Sequence, residues 1–138
     1  MSGTVPVVWA LRGLTELDVA DNLLTGELPL ASIASLPAMA RLLVSGNDFV
    51  GEIPGALKDG LEDMKALHFG GNLFTFNRTE FLNWIEDRAL ESIDLHGISI
   101  GGPLQELLVI NIPGLTTLDL SDCALDGPIP MEFFYRYP

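Results

Sequence analysis

The chain has 138 residues, 48% of them hydrophobic, with 19 acidic side chains against 7 lysines and arginines and a formal charge of −12. That apolar content excludes a disordered tail, and the length suits one domain or one block of repeats. Such acidity repels phosphate backbones and anionic lipid, so nucleic acid is excluded and a basic or neutral partner is favoured.

No apolar run approaches the roughly 18 to 20 residues of a membrane helix, so no transmembrane segment is predicted. Met1-Ser2-Gly3-Thr4-Val5-Pro6 lacks the basic and then apolar regions of a signal peptide. The single cysteine, Cys123, cannot form an internal disulfide and reports nothing about the redox compartment.

In chain order, Gly3-Thr4-Val5-Pro6 reads as the tail of a preceding unit. Leu14-Thr15-Glu16-Leu17-Asp18-Val19-Ala20-Asp21-Asn22 opens the first full unit, and Gly26-Glu27-Leu28-Pro29 follows. Met39-Ala40-Arg41-Leu42-Leu43-Val44-Ser45-Gly46-Asn47 opens the second, with Gly51-Glu52-Ile53-Pro54 behind it. Met64-Lys65-Ala66-Leu67-His68-Phe69-Gly70-Gly71-Asn72 opens the third, but no Gly-x-Ile-Pro follows. Thr79 to Arg88 comes instead, with Thr79 as N-cap and Phe81, Trp84 and Ile85 at helical spacing, which predicts a helix on the back of the unit. The fourth unit, Leu90 to Ile98, keeps Gly102 but continues Pro103-Leu104-Gln105. The fifth, Leu115 to Cys123, leads into Gly127-Pro128-Ile129-Pro130.

The ninth positions, 22, 47, 72, 98 and 123, are separated by 25, 25, 26 and 25 residues. A register this constant is an internal repeat. In each unit, pairs such as Leu17 and Val19, or Leu118 and Leu120, alternate with polar residues at period two, as in a strand with one buried face. About 25 residues allow the chain to cross the back and return, so successive strands run parallel. One unit cannot bury its apolar face alone, whereas stacked units share a continuous core.

The ninth residue ends the strand. An Asn amide there can bond the turning backbone, giving a ladder of Asn22, Asn47 and Asn72, with Cys123 as a permitted variant. Ile98 cannot hydrogen-bond, so the fourth turn is expected to be irregular or satisfied by water.

With Leu24, Phe49 and Leu125, the segments behind units one, two and five read NxLxGxIP. This resembles the plant-specific class of leucine-rich repeats, found in receptor-kinase ectodomains, receptor-like proteins and polygalacturonase-inhibiting proteins. The resemblance implies an α/β solenoid: a right-handed horseshoe segment with a concave parallel sheet, about five repeats and an irregular or helical convex side. It implies a single domain over 1–138, with repeat strands near 14–22, 39–47, 64–72, 90–98 and 115–123. It also implies a second short strand near Gly-x-Ile-Pro, an extracellular or cell-surface setting, and recognition of peptides, proteins or glycans. The paired-cysteine end caps typical of extracellular members are not found.

Both ends of the sequence fall within a unit. Tyr137-Pro138 matches Leu36-Pro37, and neither end has the polar face of a terminal repeat. Phe133, Phe134, Tyr135 and Tyr137 would be partly bare, so flanking repeats, or failing those end-to-end self-association, are expected.

Function in a solenoid resides on exposed strand positions, stacked about 4.8 Å apart. The fifth-position column is Asp18, Leu43, His68, Asp94 and Asp119, the third Glu16, Arg41, Ala66, Ser92 and Thr117, and the seventh Ala20, Ser45, Gly70, His96 and Ser121. Neighbouring Asp94 and Asp119 repel, so His68, a cation or a basic ligand is expected to compensate. The ligand face is assigned to Asp18, Arg41, His68, Asp94, His96, Asp119 and Ser121. A plain solvated ladder on a scaffold is the alternative.

Three sharper readings are weaker. His68, Asp94, His96 and Asp119 offer metal-binding donors, but side chains on a flat sheet should project in parallel, so no metal or other cofactor is expected. Ser121, His96 and Asp94 resemble a nucleophilic set, yet an open sheet offers no aimed pair of N–H groups for an oxyanion, so no enzyme is expected. Ice binding would require a regular Thr or Asn row, which the mixed columns lack. Asn77-Arg78-Thr79 is a glycosylation sequon, making Asn77 a candidate site.

Overall fold

The computed structural model describes residues 2–3, 11–53, 57, 60–108 and 110–136. Thr4, Val5, Pro6, Pro54, Tyr137, Pro138 and the side chain of Phe133 lie outside the described residues.

In chain order the elements are β1 (Ser2–Gly3), β2 (Glu16–Asp18), β3 (Leu23–Glu27), α1 (Leu30–Ala34), β4 (Arg41–Leu43), β5 (Asp48–Val50) and β6 (Glu52–Ile53). There follow β7 (Ala66–His68), β8 (Thr75–Phe76), α2 (Arg78–Ile85), β9 (Ser92–Asp94), β10 (Gly102–Pro103), α3 (Leu104–Leu108), β11 (Thr117–Asp119), β12 (Leu125–Asp126) and α4 (Glu132–Arg136).

The main sheet has the order β2-β4-β7-β9-β11, every pair parallel. Its middle column, Leu17, Leu42, Leu67, Ile93 and Leu118, is in register throughout. Leu42, Leu67 and Ile93 are buried, while Leu17 and Leu118 on the two outermost strands are half-buried. Each fully buried side chain of this kind contributes about 1.5–3 kcal/mol. The main chain extends the pairing past the strands: the N–H groups of Asp21, Gly46, Gly71 and Gly97 donate to the carbonyls of Ser45, Gly70, His96 and Ser121 at 2.7–2.9 Å.

A second set of strands follows the turns, paired as β1-β3-β5, β6-β8 and β10-β12. The largely aliphatic core includes a group of aromatic rings. Phe49 and Phe74, at the same repeat position, stack with ring centroids 6.4 Å apart, and Phe69 meets Phe74 edge-on at 5.4 Å.

The asparagine ladder lies between the two strand systems. Asn72 Nδ2 donates to the carbonyls of Val44, Phe69 and Gly70, and its Oδ1 accepts from Phe49 N at 3.0 Å. Asn47 does the same one unit earlier, toward Val19, Val44 and Ser45 and from Leu24 N. Asn22 Nδ2 donates to Val19 and Ala20, and the Cys123 thiol to Leu95 and Ser121. Burial raises the Cys123 thiol pKa, which keeps it a neutral donor.

Ile98 is buried and makes no ladder bond, yet its turn keeps the shared backbone path, with Gly97 N donating to Ser121 O. The irregularity expected at this turn falls on the back of the solenoid. There β8 and β10 are not paired, and the Arg78 guanidinium bridges the interval by donating to the carbonyls of Gly101 and Pro103.

The predicted helix forms, but Thr79 does not cap it. Asn77 is the N-cap, its Oδ1 accepting from Glu80 N at 3.2 Å, and Thr79 is exposed inside the first turn. An Asx side chain reaches an N3 amide more favourably than Thr does, so the helix starts where the better cap stands. Phe81, Trp84 and Ile85 face the core as their spacing required. Arg88 covers the Trp84 ring at 4.3 Å, and the indole donates to Leu57 O at 2.7 Å.

Candidate functional site

The open face of the main sheet carries one local device three times. The carboxylates of Asp18, Asp94 and Asp119 turn back on the N–H two residues ahead, at Ala20 (3.1 Å), His96 (3.0 Å) and Ser121 (2.9 Å). These three strands end where a fifth-position Asp captures the seventh-position amide.

At Asp94 the device becomes a cluster. Asp94 Oδ1 also meets His96 Nδ1 at 2.7 Å, and Ser45 Oγ donates to Asp94 Oδ2 at 2.8 Å. Glycine makes this possible. A Cβ added to Gly70 would lie 2.1 Å from His96 Nδ1 and 2.5 Å from Asp94 Oδ1, and one added to Gly71 would lie 2.9 Å from His96 Nε2. The imidazole and carboxylate therefore rest on bare backbone, in the space that a side chain would otherwise fill.

Asp119 is directly paired with Asp94 in the register. Ser121 Oγ donates to Asp119 Oδ1 at 2.7 Å. The Ser121 hydroxyl, then its N–H, hold the Asp119 carboxyl below the ordinary carboxylate range, with a smaller contribution from His96.

His68 does not compensate Asp94. Although the two are register partners, His68 Nε2 bonds Ser92 Oγ at 2.7 Å, and His96 and Ser45 hold Asp94 instead. A side chain two residues along the same strand, leaning over a glycine, reaches the carboxylate more readily than a ring projecting in parallel. Arg41 pairs with Glu16 at 2.8 Å, both ends exposed. Asp18 is exposed at the outermost strand, and Leu43 and His68 separate it from Asp94 in the register.

The metal-binding donors do not all project in parallel. Among the described residues, one ligand atom each from Asp94, His96 and Asp119 lies within 4.8 Å of the others. Two members of the nucleophilic set, Asp94 and His96, are joined, but the Ser121 hydroxyl donates its hydrogen bond to Asp119. Asn77, the sequon residue, spends its Oδ1 on the helix cap and is half-buried.

Two features escaped the sequence reading. Every eighth position, Asp21, Gly46, Gly71, Gly97 and Asp122, has positive φ between 53° and 71°. The restriction of that column to Gly and Asp was the available signal, since these residues tolerate that conformation best. The role of Gly70 as the floor under His96 was the other, and no local pattern reveals it.

The family described as Leucine Rich Repeat matches residues 114–135. No curated protein matches the sequence. Among solved structures, the chain is similar to the plant peptide hormone receptor RGFR1, solved with RGF2, at 27% identity and a TM-score of 0.69 over 88% of this chain and 19% of the receptor chain. It is similar to the ectodomain of the Arabidopsis receptor kinase HAESA, solved with an extended IDA peptide hormone, at 27% identity and 0.67 over 87% and 20%. It is also similar to a plant ice-binding protein at 25% identity and 0.67 over 87% and 45%. The chain thus spans about a fifth of the two receptor chains and under half of the ice-binding protein.

Proposed function

We propose that this chain, similar to plant leucine-rich-repeat receptor ectodomains, is a recognition segment taking a peptide or protein ligand on the open face of its five-stranded sheet. The observation that carries the reading is the cluster of Ser45, Asp94 and His96 resting on Gly70 and Gly71. A pre-set polar group on a rigid sheet is what specific recognition needs. Asp119 and Ser121 extend it on one side, His68 and Arg41 on the other, and Asp18 marks its far edge. The acidic balance favours a basic or neutral ligand. Receptors RGFR1 and HAESA, each solved with a peptide hormone, support a peptide.

The wider reading is a block of about five repeats within a longer right-handed horseshoe, its sheet concave, belonging to a cell-surface or secreted protein without enzymatic activity. Exposed Ile129, Met131, Phe134 and Tyr135 support a further repeat stacked there. Among the described residues, no helix is long and apolar enough to cross a membrane. Glycosylation at Asn77 belongs to the same reading.

The test is an array of synthetic basic, neutral and acidic peptides, read by fluorescence polarisation on this chain and on the Asp94→Lys/Asp119→Lys double variant. Basic peptides bind the wild type and lose at least about tenfold on the variant, consistent with removal of paired charge contacts. An unchanged profile, or no bound peptide, removes this patch from recognition and leaves a scaffold. The likeness to an ice-binding protein gives one further reading. It requires a regular exposed row, and absence of thermal hysteresis disposes of it.

A further inference from the structure

We infer that Asp94, His96 and Asp119 form a site for a first-row divalent cation of the zinc class. One imidazole nitrogen and two carboxylate oxygens, with ligand atoms within 4.8 Å of one another, come from two adjacent strands in register. This is the mixed N/O donor set of zinc sites that keep a fourth position open. Oxygen-preferring calcium and magnesium favour more oxygens and no imidazole.

The surroundings favour a cation at this spot over any other on the sheet. Two carboxylates face each other across one register step, and among the described residues no lysine or arginine forms an ion pair with either. Glycines at 70 and 71 leave open the space where the imidazole lies. Bond lengths of about 2.0–2.2 Å place neighbouring ligand atoms roughly 3.3 Å apart. The Asp94–His96 contact of 2.7 Å opens slightly, and the exposed Asp119 side chain swings inward from Ser121. A ring nitrogen of His96 would bond the metal in place of its contact with Asp94. His68, held by Ser92, takes no part.

The experiment is calorimetric titration of this chain with zinc chloride in a non-chelating buffer, beside calcium and magnesium chloride. Zinc binds one to one. His96→Gln and Asp119→Asn each weaken it by at least about tenfold, while His68→Gln does not. In the wild type, zinc shifts the NMR resonances of the His96 ring and leaves those of His68 in place. This readout needs no variant to fold. Metal alone is used, so the result is independent of peptide binding. The proposal is overturned by no saturable zinc binding, by equal binding of calcium, by affinity unchanged in both site variants, or by a response centred on His68.

Discussion

The Ser45 hydroxyl donates to Asp94 Oδ2 at 2.8 Å, although β7 lies between the strands that precede Ser45 and carry Asp94. The bond passes over Gly70, the one seventh-position residue with no side chain. Gly70→Ala should therefore break the cluster while leaving the fold intact. The new methyl meets His96 Nδ1 and Asp94 Oδ1, the ends of side chains that can turn toward solvent. Unfolding free energy should change by no more than about 1 kcal/mol. The His96 ring resonances should nonetheless move, and any ligand of this face should bind more weakly. A variant with native His96 shifts would show that the glycine floor does not matter.

The asparagine ladder should prove the most sensitive part of the interior. Asn72→Ala leaves the Phe49 N–H and the carbonyls of Val44, Phe69 and Gly70 without the amide that serves them. Each buried group left unpaired costs about 1–3 kcal/mol, so a total loss of about 3 kcal/mol or more is expected in denaturant unfolding. Ile98 holds the equivalent place by packing alone. Ile98→Asn should cost less than Asn72→Ile, because the first introduces an amide where the turn still presents carbonyls.

These contrasts show what the sequence could disclose. The strand register was legible because Leu17, Leu42, Leu67, Ile93 and Leu118 recur at a near-fixed step, and burial of one face admits only one alignment. The Asn ladder was legible for the same reason. Contacts that join positions with different offsets were not. The Ser45–Asp94 bond skips a unit, and the Asp94–His96 pair depends on a glycine in another strand. His68 was matched to Asp94 from the column alone, but the column ignores side-chain lean and the competing hydroxyl of Ser92. The Thr79 cap failed because a better cap stood two residues earlier, within a sequon read only for glycosylation.

Arg78 should be the residue that holds the back of the solenoid together across the gap between β8 and β10. Its guanidinium serves two carbonyls, Gly101 and Pro103, and pairs with Glu106 at 3.2 Å. Lysine cannot reproduce that planar fork. Arg78→Lys should destabilise by about 1–2 kcal/mol and Arg78→Ala by more. Both should speed amide hydrogen exchange around residues 100–104 before exchange rises in the main sheet. Uniform loss of protection would place the role of Arg78 elsewhere.

Asp119 should titrate below an ordinary carboxylate, and Ser121 should be the reason. Its hydroxyl is the larger cause and its N–H the next. Both favour the ionised form, so the folded-state value lies below the unfolded value. The sign follows from linkage: stability from this contact is complete above the unfolded carboxylate value, near 3.8, and is lost as pH falls through the lower folded value. Ser121→Ala removes the hydroxyl and keeps the N–H, so the Asp119 titration should rise toward, but not reach, the ordinary value. Carboxyl carbon NMR between about pH 2 and 6 reads this directly, a range that brackets the reference value. A midpoint unmoved by the substitution would mean that Ser121 Oγ does not hold Asp119 in solution. The inward swing required of Asp119 for cation binding would then meet no resistance from that bond.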